Sequence, residues 1–294
     1  MKKLKLISLL LASILLFAAL PAGCSEKHED KLPIILFSDF GSEDYRVPQV
    51  KGILYNLDMD AKVIDGTHDV PAFDVPTGAY ILNMTAREFP GNVVFCAIIS
   101  PYEQEETKYL VLTTSKNQIF VIPDNGLLSY IIQESEIESI YRISNQDLFD
   151  SPITELPAER IQTKIAVLMS TGYKAQDVGP AMEEYNTLDV QAAQISGNKL
   201  LGTIVNIDHF GNAITNISGE TANEFGLQPG STININIAGQ VFNIPYGTIY
   251  SDVPIGENIV FVNNNLDIIQ VSINLGNFAG TYGIAAATKI EITK

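Results

Sequence analysis

Two short strings carry the side chains in this sequence best placed to do chemistry: Ser38-Asp39-Phe40-Gly41 near the start and Asp208-His209-Phe210-Gly211-Asn212 near the end. Each sets a carboxylate beside a glycine at the end of an apolar run, Ile34-Ile35-Leu36-Phe37 in the first case and residues 200–207 in the second. A carboxylate so placed can accept hydrogen bonds from both members of a vicinal diol, a charge-assisted arrangement stronger than neutral pairs. Plainer uses exist for both strings. Asp39 could be a turn residue capping the next helix, and residues 208–212 could form a tight hairpin turn, although such a turn does not demand Phe and Asn as well.

The elements around the first string favour a site. A buried-strand pattern precedes Asp39, and residues 45–57 repeat their apolar positions at helical spacing, so Asp39 is expected at the carboxyl edge of a sheet. Open α/β sheets bind ligands at that edge. Residues 32–190 alternate apolar strands with amphipathic helices, among them 75–89 and 164–171, which predicts an α/β domain with a mostly parallel sheet. From residue 197 to 294 the pattern changes. Short β-branched runs at 200–207, 232–237, 240–244, 259–262 and 267–273 are separated by turns rich in Gly, Asn and Pro, which predicts an all-β barrel or sandwich.

Taken in order, several stretches resemble one family. Ser38-Asp39-Phe40-Gly41, Thr67-His68-Asp69-Val70-Pro71, Pro123-Asp124-Asn125-Gly126-Leu127-Leu128, residues 208–216 (DHFGNAITN), Val262-Asn263-Asn264 and residues 274–283 are similar to the S-adenosylmethionine (SAM) hydroxide adenosyltransferases, or SAM hydrolases, whose halogenating relatives are the fluorinase and chlorinase. The resemblance spans nearly all of the chain after residue 31. It implies that Asp39 holds a ribose diol, that Asp208 faces the methionine amino group, and that Phe210 and Asn212 line the nucleoside. Asn263 and Asn264 align with an Asn-Ser pair that contacts the methionine carboxylate. Ile214 stands where the fluorinase has an aromatic against adenine, so weaker apolar contact would replace stacking. The resemblance further implies a homotrimer whose sites join the first domain of one subunit to the second domain of its neighbour. It implies no metal and no cofactor beyond SAM itself as substrate or ligand.

The resemblance breaks at the positions that activate water. The family stretch Asp-Pro-Gly-Val-Gly reads Ser100-Pro101-Tyr102-Glu103-Gln104 here, with serine at the Asp position, where the halogenases carry Tyr. Seven residues on, the family Arg is replaced by Thr107, with Lys108 beside it. The family His falls near Leu156-Pro157-Ala158-Glu159, and the chain's three histidines are His28, His68 and His209, none of them there. A positioned general base contributes about 10²–10⁴-fold, so no catalytic residue is assigned.

The start of the chain predicts an address. Met1-Lys2-Lys3-Leu4-Lys5 followed by the apolar residues 6–20 is the pattern of a signal peptide, and Leu20-Pro21-Ala22-Gly23-Cys24 reads as a lipobox. Processing would remove residues 1–23, acylate Cys24 and leave residues 24–31 as a polar tether, placing the protein in the cell envelope on a lipid anchor. That cut removes three lysines and no acids, taking the net charge from −16 to −19. Nucleic acid is thereby excluded as a partner class. Cys96, inside the apolar run 93–99, reads as a buried inert thiol.

These features predict a protein that binds SAM or a related adenosyl compound, with hydrolysis to adenosine and methionine as its nominal reaction. The alternative is a non-catalytic lipoprotein that captures or senses a nucleoside. A purely structural envelope protein would need neither Asp39 nor Asp208.

Overall fold

The computed structural model describes residues 31–101 and 107–293. Strand β1 (Ile34–Ser38) is followed by α1 (Arg46–Leu57), β2 (Val63–Thr67), α2 (Val75–Glu88), β3 (Val93–Ile98), β4 (Tyr109–Thr114), β5 (Gln118–Pro123), α3 (Ser129–Glu134), β6 (Ile137–Arg142) and α4 (Ala158–Ser170). The six strands form one sheet in the order β2-β1-β3-β5-β4-β6. Pairing is parallel from β2 through β5 and antiparallel at β4 and β6.

Strand alternation divides this sheet's apolar residues between two cores. Ile34, Leu36, Val94 and Cys96 face α1 and α4, while Ile35, Phe37, Val93 and Phe95 face α2 and α3. Burial on both faces is why these strands read as continuous apolar runs. Cys96 is fully buried, and burial pushes its thiol up to about 12, so it stays protonated and inert.

The second sheet is built from β7 (Gln194–Ser196), β8 (Lys199–Ile207), β9 (Ala213–Ser218), β10 (Thr232–Ile237), β11 (Gln240–Pro245), β12 (Asn258–Asn263), β13 (Ile268–Ile273) and β14 (Lys289–Thr293). Its strands run in the order β11-β10-β14-β8-β9-β13-β12, with β7 on β8, and every pairing is antiparallel. A bridge between Tyr246 and Val260 brings the two edge regions together and nearly closes a barrel. Its interior is filled by residues such as Leu200, Ile217, Ile235, Val271 and Ile292. The expected fold class, an α/β unit followed by an all-β barrel, is the one found.

Three local differences have simple causes. Helix α4 begins at Ala158, six residues before the apolar period becomes visible, because Pro157 starts it and its first turn carries the polar pair Glu159 and Arg160. Two helices occur among the strands, α5 (Gly219–Phe225) and α6 (Phe278–Tyr282), of seven and five residues, too short to show a period. Asp39 caps no helix; the residue capping α1 is Tyr45, with no side-chain cap bond.

Candidate functional site

Asp39 follows β1 at the carboxyl edge of the parallel sheet, beside the ends of β2 and β3. Its Oδ2 accepts the backbone N–H of Phe73 at 3.0 Å and of Ser100 at 3.1 Å. One carboxylate oxygen therefore ties together the loop leaving β1, the loop before α2 and the loop after β3. Both donors sit in left-handed backbone, with φ of 65° at Phe73 and 43° at Ser100. Such residues cost on the order of 1–3 kcal/mol each and persist where surroundings fix them. Here Asp39 supplies part of that fixing, and Asn125 supplies more by donating its amide to the Ile99 and Ser100 carbonyls. The Pro123-Asp124-Asn125-Gly126 string thus shapes the Ser100 loop. Phe73 leaves 76% of its surface exposed next to the carboxylate, a site neighbour the sequence did not single out.

The turn at Asp39 is anchored from below. The His68 carbonyl accepts the Gly41 N–H, and the Asp69 carboxylate accepts both the backbone N–H and the hydroxyl of Ser42. The His68 ring is buried between Ser38, whose Oγ is 2.8 Å from Nδ1, and Asp65, whose Oδ1 is 3.1 Å from Nε2. A carboxylate only accepts, so Nε2 carries a proton toward Asp65, while Nδ1 pairs with the Ser38 hydroxyl. Burial pushes Asp65 up, but hydrogen bonds from Lys51 and His68 outweigh it and hold the carboxyl below its ordinary value. His68 is therefore engaged on both ring nitrogens. Nearby, Arg46 forks onto Asp44 at 2.8 and 3.1 Å and lies over the Phe40 ring at 4.7 Å. The Arg46 side chain holds the Asp44 carboxyl down at about 2.

The second string forms the turn between β8 and β9. Asp208 Oδ1 accepts the N–H groups of Phe210 and Asn212, and Oδ2 accepts the Asn212 amide at 2.7 Å. Asn212 is buried by this, whereas His209 and Phe210 are exposed. A chain of hydrogen bonds continues from the Asn212 amide to the Tyr250 hydroxyl, and from there through Gln270 to Asn263. A cavity of about 400 Å³ opens over it, lined by Asp208, Phe210, Ile214, Tyr250, Asn263 and Gln270, with α2 supplying its other wall. Tyr250 and Gln270 went unnoticed in the sequence, since the first lies in a loop and the second inside an apolar strand.

Gly211 makes this turn possible. Its φ is 82°, and a Cβ there would lie 2.0 Å from Asn277 Oδ1, the atom that caps α6. Gly211→Ala is expected to destabilise the protein by about 2–4 kcal/mol, from left-handed strain plus a lost cap. Denaturant titration checks it; a change below about 0.5 kcal/mol, the range of neutral surface substitutions, would show that the turn tolerates the methyl.

The structure brings Asp208, Phe210 and Asn212 together, with Asn264 exposed in the β12–β13 turn beside Asn263. Asp39 lines no part of that cavity, whose wall from the first domain is α2. Asn216, last in its string, faces elsewhere and holds the linker, accepting from the Thr203 N–H and donating to the Gln191 carbonyl. Thr107 lies in the loop entering β4, and Ser100 is 3% exposed. Cys24 lies outside the described residues, as do His28 and residues 102–106. Among the described residues, no helix is long and apolar enough to cross a membrane, and no group of three metal-ligating side chains comes together.

Comparison with known proteins accounts for both halves. Residues 34–179 match the SAM hydroxide adenosyltransferase N-terminal domain, and residues 202–291 match its C-terminal domain. The chain is 25% identical to a fluorinase of Actinoplanes sp., covering 89% of this chain and 98% of the relative. It is 30% identical to an (R)-S-adenosyl-L-methionine hydrolase of Methanocaldococcus jannaschii over 64% of this chain and 68% of that one. A crystal structure of an uncharacterized conserved protein from Thermotoga maritima superimposes with a TM-score of 0.82 at 25% identity, covering 89% of this chain and all of that one. With both of its domains matched in order, the chain belongs to the SAM hydroxide adenosyltransferase family.

Proposed function

We propose that this protein binds SAM or a related adenosyl compound between an Asp39 half-site and an Asp208 half-site, with conversion to adenosine and methionine as its nominal reaction. Family membership supports an adenosyl ligand. The observation that carries the proposal is the Asp39 carboxylate, which stands at the carboxyl edge of the parallel sheet with its protein hydrogen bonds confined to Oδ2. Among the described residues Oδ1 accepts none, which leaves an anionic acceptor for a ribose diol. On the other half, Asp208, Phe210, Asn212 and Asn264 are assigned to the methionine and nucleoside moieties. The two half-sites meet between neighbouring copies in a homotrimer. Cys24 carries the lipid that anchors the protein in the cell envelope.

A second reading, capture or sensing without turnover, is favoured by Ser100 and Thr107. They replace an acid and a guanidinium, and α4 supplies no imidazole where the family has one. Calorimetry of residues 25–294 with SAM, adenosine and methionine tests the binding common to both readings. Saturable binding of SAM or adenosine is expected; absence of binding by both would overturn the proposal.

A further inference from the structure

The hydrogen-bond chain beneath the barrel cavity fixes the direction of one proton. At one end stands the Asp208 carboxylate, which can only accept, so Asn212 must turn Nδ2 toward it. The same nitrogen gives its second hydrogen to the Tyr250 hydroxyl oxygen at 3.2 Å. At the other end Asn263 Oδ1 accepts the backbone N–H of Asn265, which can only donate. Asn263 therefore presents Nδ2 to Gln270, at 2.8 Å from Oε1. That leaves Gln270 Nε2 to donate to Tyr250 and to Ser272. Amide orientations are assigned from such networks, and here both ends of the network are unambiguous.

Tyr250 consequently accepts from both sides, and its own O–H proton is left with no acceptor among the described residues. Contacts on two sides hold the ring in this position. It packs edge-on against Phe261 with centroids 4.9 Å apart, and its turn is pinned by Asp252, whose carboxylate accepts from the Thr248 hydroxyl and the Thr248 and Ile249 N–H groups. Tyr250 lines the cavity beside Phe210 and Ile214.

We infer that Tyr250 is a specificity-determining residue whose hydroxyl donates one hydrogen bond to an unprotonated ring nitrogen of a purine held in this cavity. The inference rests on the adenosyl reading of the site. Asn212 has both amide hydrogens committed within the protein, so Tyr250 is the donor the network turns toward the ligand. Ile214 and Phe210 supply the apolar contact for a flat base.

Two measurements test this. Calorimetry with adenosine and its 1-deaza, 3-deaza and 7-deaza analogues, each lacking one ring acceptor, should show one analogue binding wild type roughly tenfold more weakly than adenosine. Tyr250→Phe should lose roughly the same factor for adenosine and bind that analogue and adenosine alike. Tyr250→Phe binding adenosine as wild type does, or keeping the analogue discrimination, would overturn the inference. Hydroxyl exchange of Tyr250, followed by NMR on protein carrying tyrosine labelled with ¹³C at Cζ, needs no ligand. Fast exchange in the free protein is expected, and slow exchange would mean that the proton is already donated within the protein. If exchange is fast but wild type binds no adenosine, the adenosyl reading and the purine fall together while the outward donor stands.

Discussion

Asp39→Asn is expected to leave the protein folded and to weaken binding of SAM or adenosine by more than tenfold. The carboxylate has two jobs on two oxygens. Oδ2 receives the Phe73 and Ser100 N–H groups and so holds two left-handed residues, while Oδ1 is the acceptor left for the ligand. Asparagine can keep an oxygen where Oδ2 stands, which preserves both backbone bonds. It then puts an NH₂ donor where a diol expects a charged acceptor, and hydrogen bonds to charged groups are worth about 1.5–3 kcal/mol. Asp39→Ala loses the acceptor and also leaves two N–H groups without their partner, so it should lower stability as well as affinity. Calorimetry and denaturant titration on the two variants separate these effects. Unchanged affinity in folded Asp39→Asn would rule out the ribose contact, and unfolding of that variant would assign the carboxylate to structure alone.

That pairing of roles was half legible in the sequence. The apolar run before Asp39 and the helical period after it locate the residue at a sheet edge from local pattern alone. Its partners lie 34 and 61 residues away, and nothing local ties Phe73 or Ser100 to it. The 208–212 string announces its turn because Asp, Gly and Asn each suit one for their own reasons. What lies beneath that turn was hidden. Gln270 and Ser272 interrupt the apolar strand run 268–273, and only the pairing of β13 with β12 shows that Gln270 faces Asn263 and Tyr250 rather than solvent. Barrel strands were readable through β-branched alternation, whereas α5 and α6 were not, because a helix of five to seven residues offers less than two turns of pattern. Local propensity places elements; long-range hydrogen bonds decide which of their side chains form a site.

Turnover is where the second large effect is expected. The purified protein should convert SAM to adenosine and methionine about 10²–10⁴-fold more slowly than a family hydrolase, the usual contribution of a positioned general base. It should form no 5′-halo-adenosine with chloride or fluoride. Restoring the missing groups through Ser100→Asp with Thr107→Arg should give little rescue, because residues that act as a unit do not contribute singly. Chromatographic detection of adenosine from SAM, with the double variant run beside wild type, measures all of this. Rapid hydrolysis by the unmodified protein, abolished by His209→Ala, would overturn the expectation. It would place the base on the exposed imidazole next to Phe210, in the barrel half-site rather than at the sheet edge.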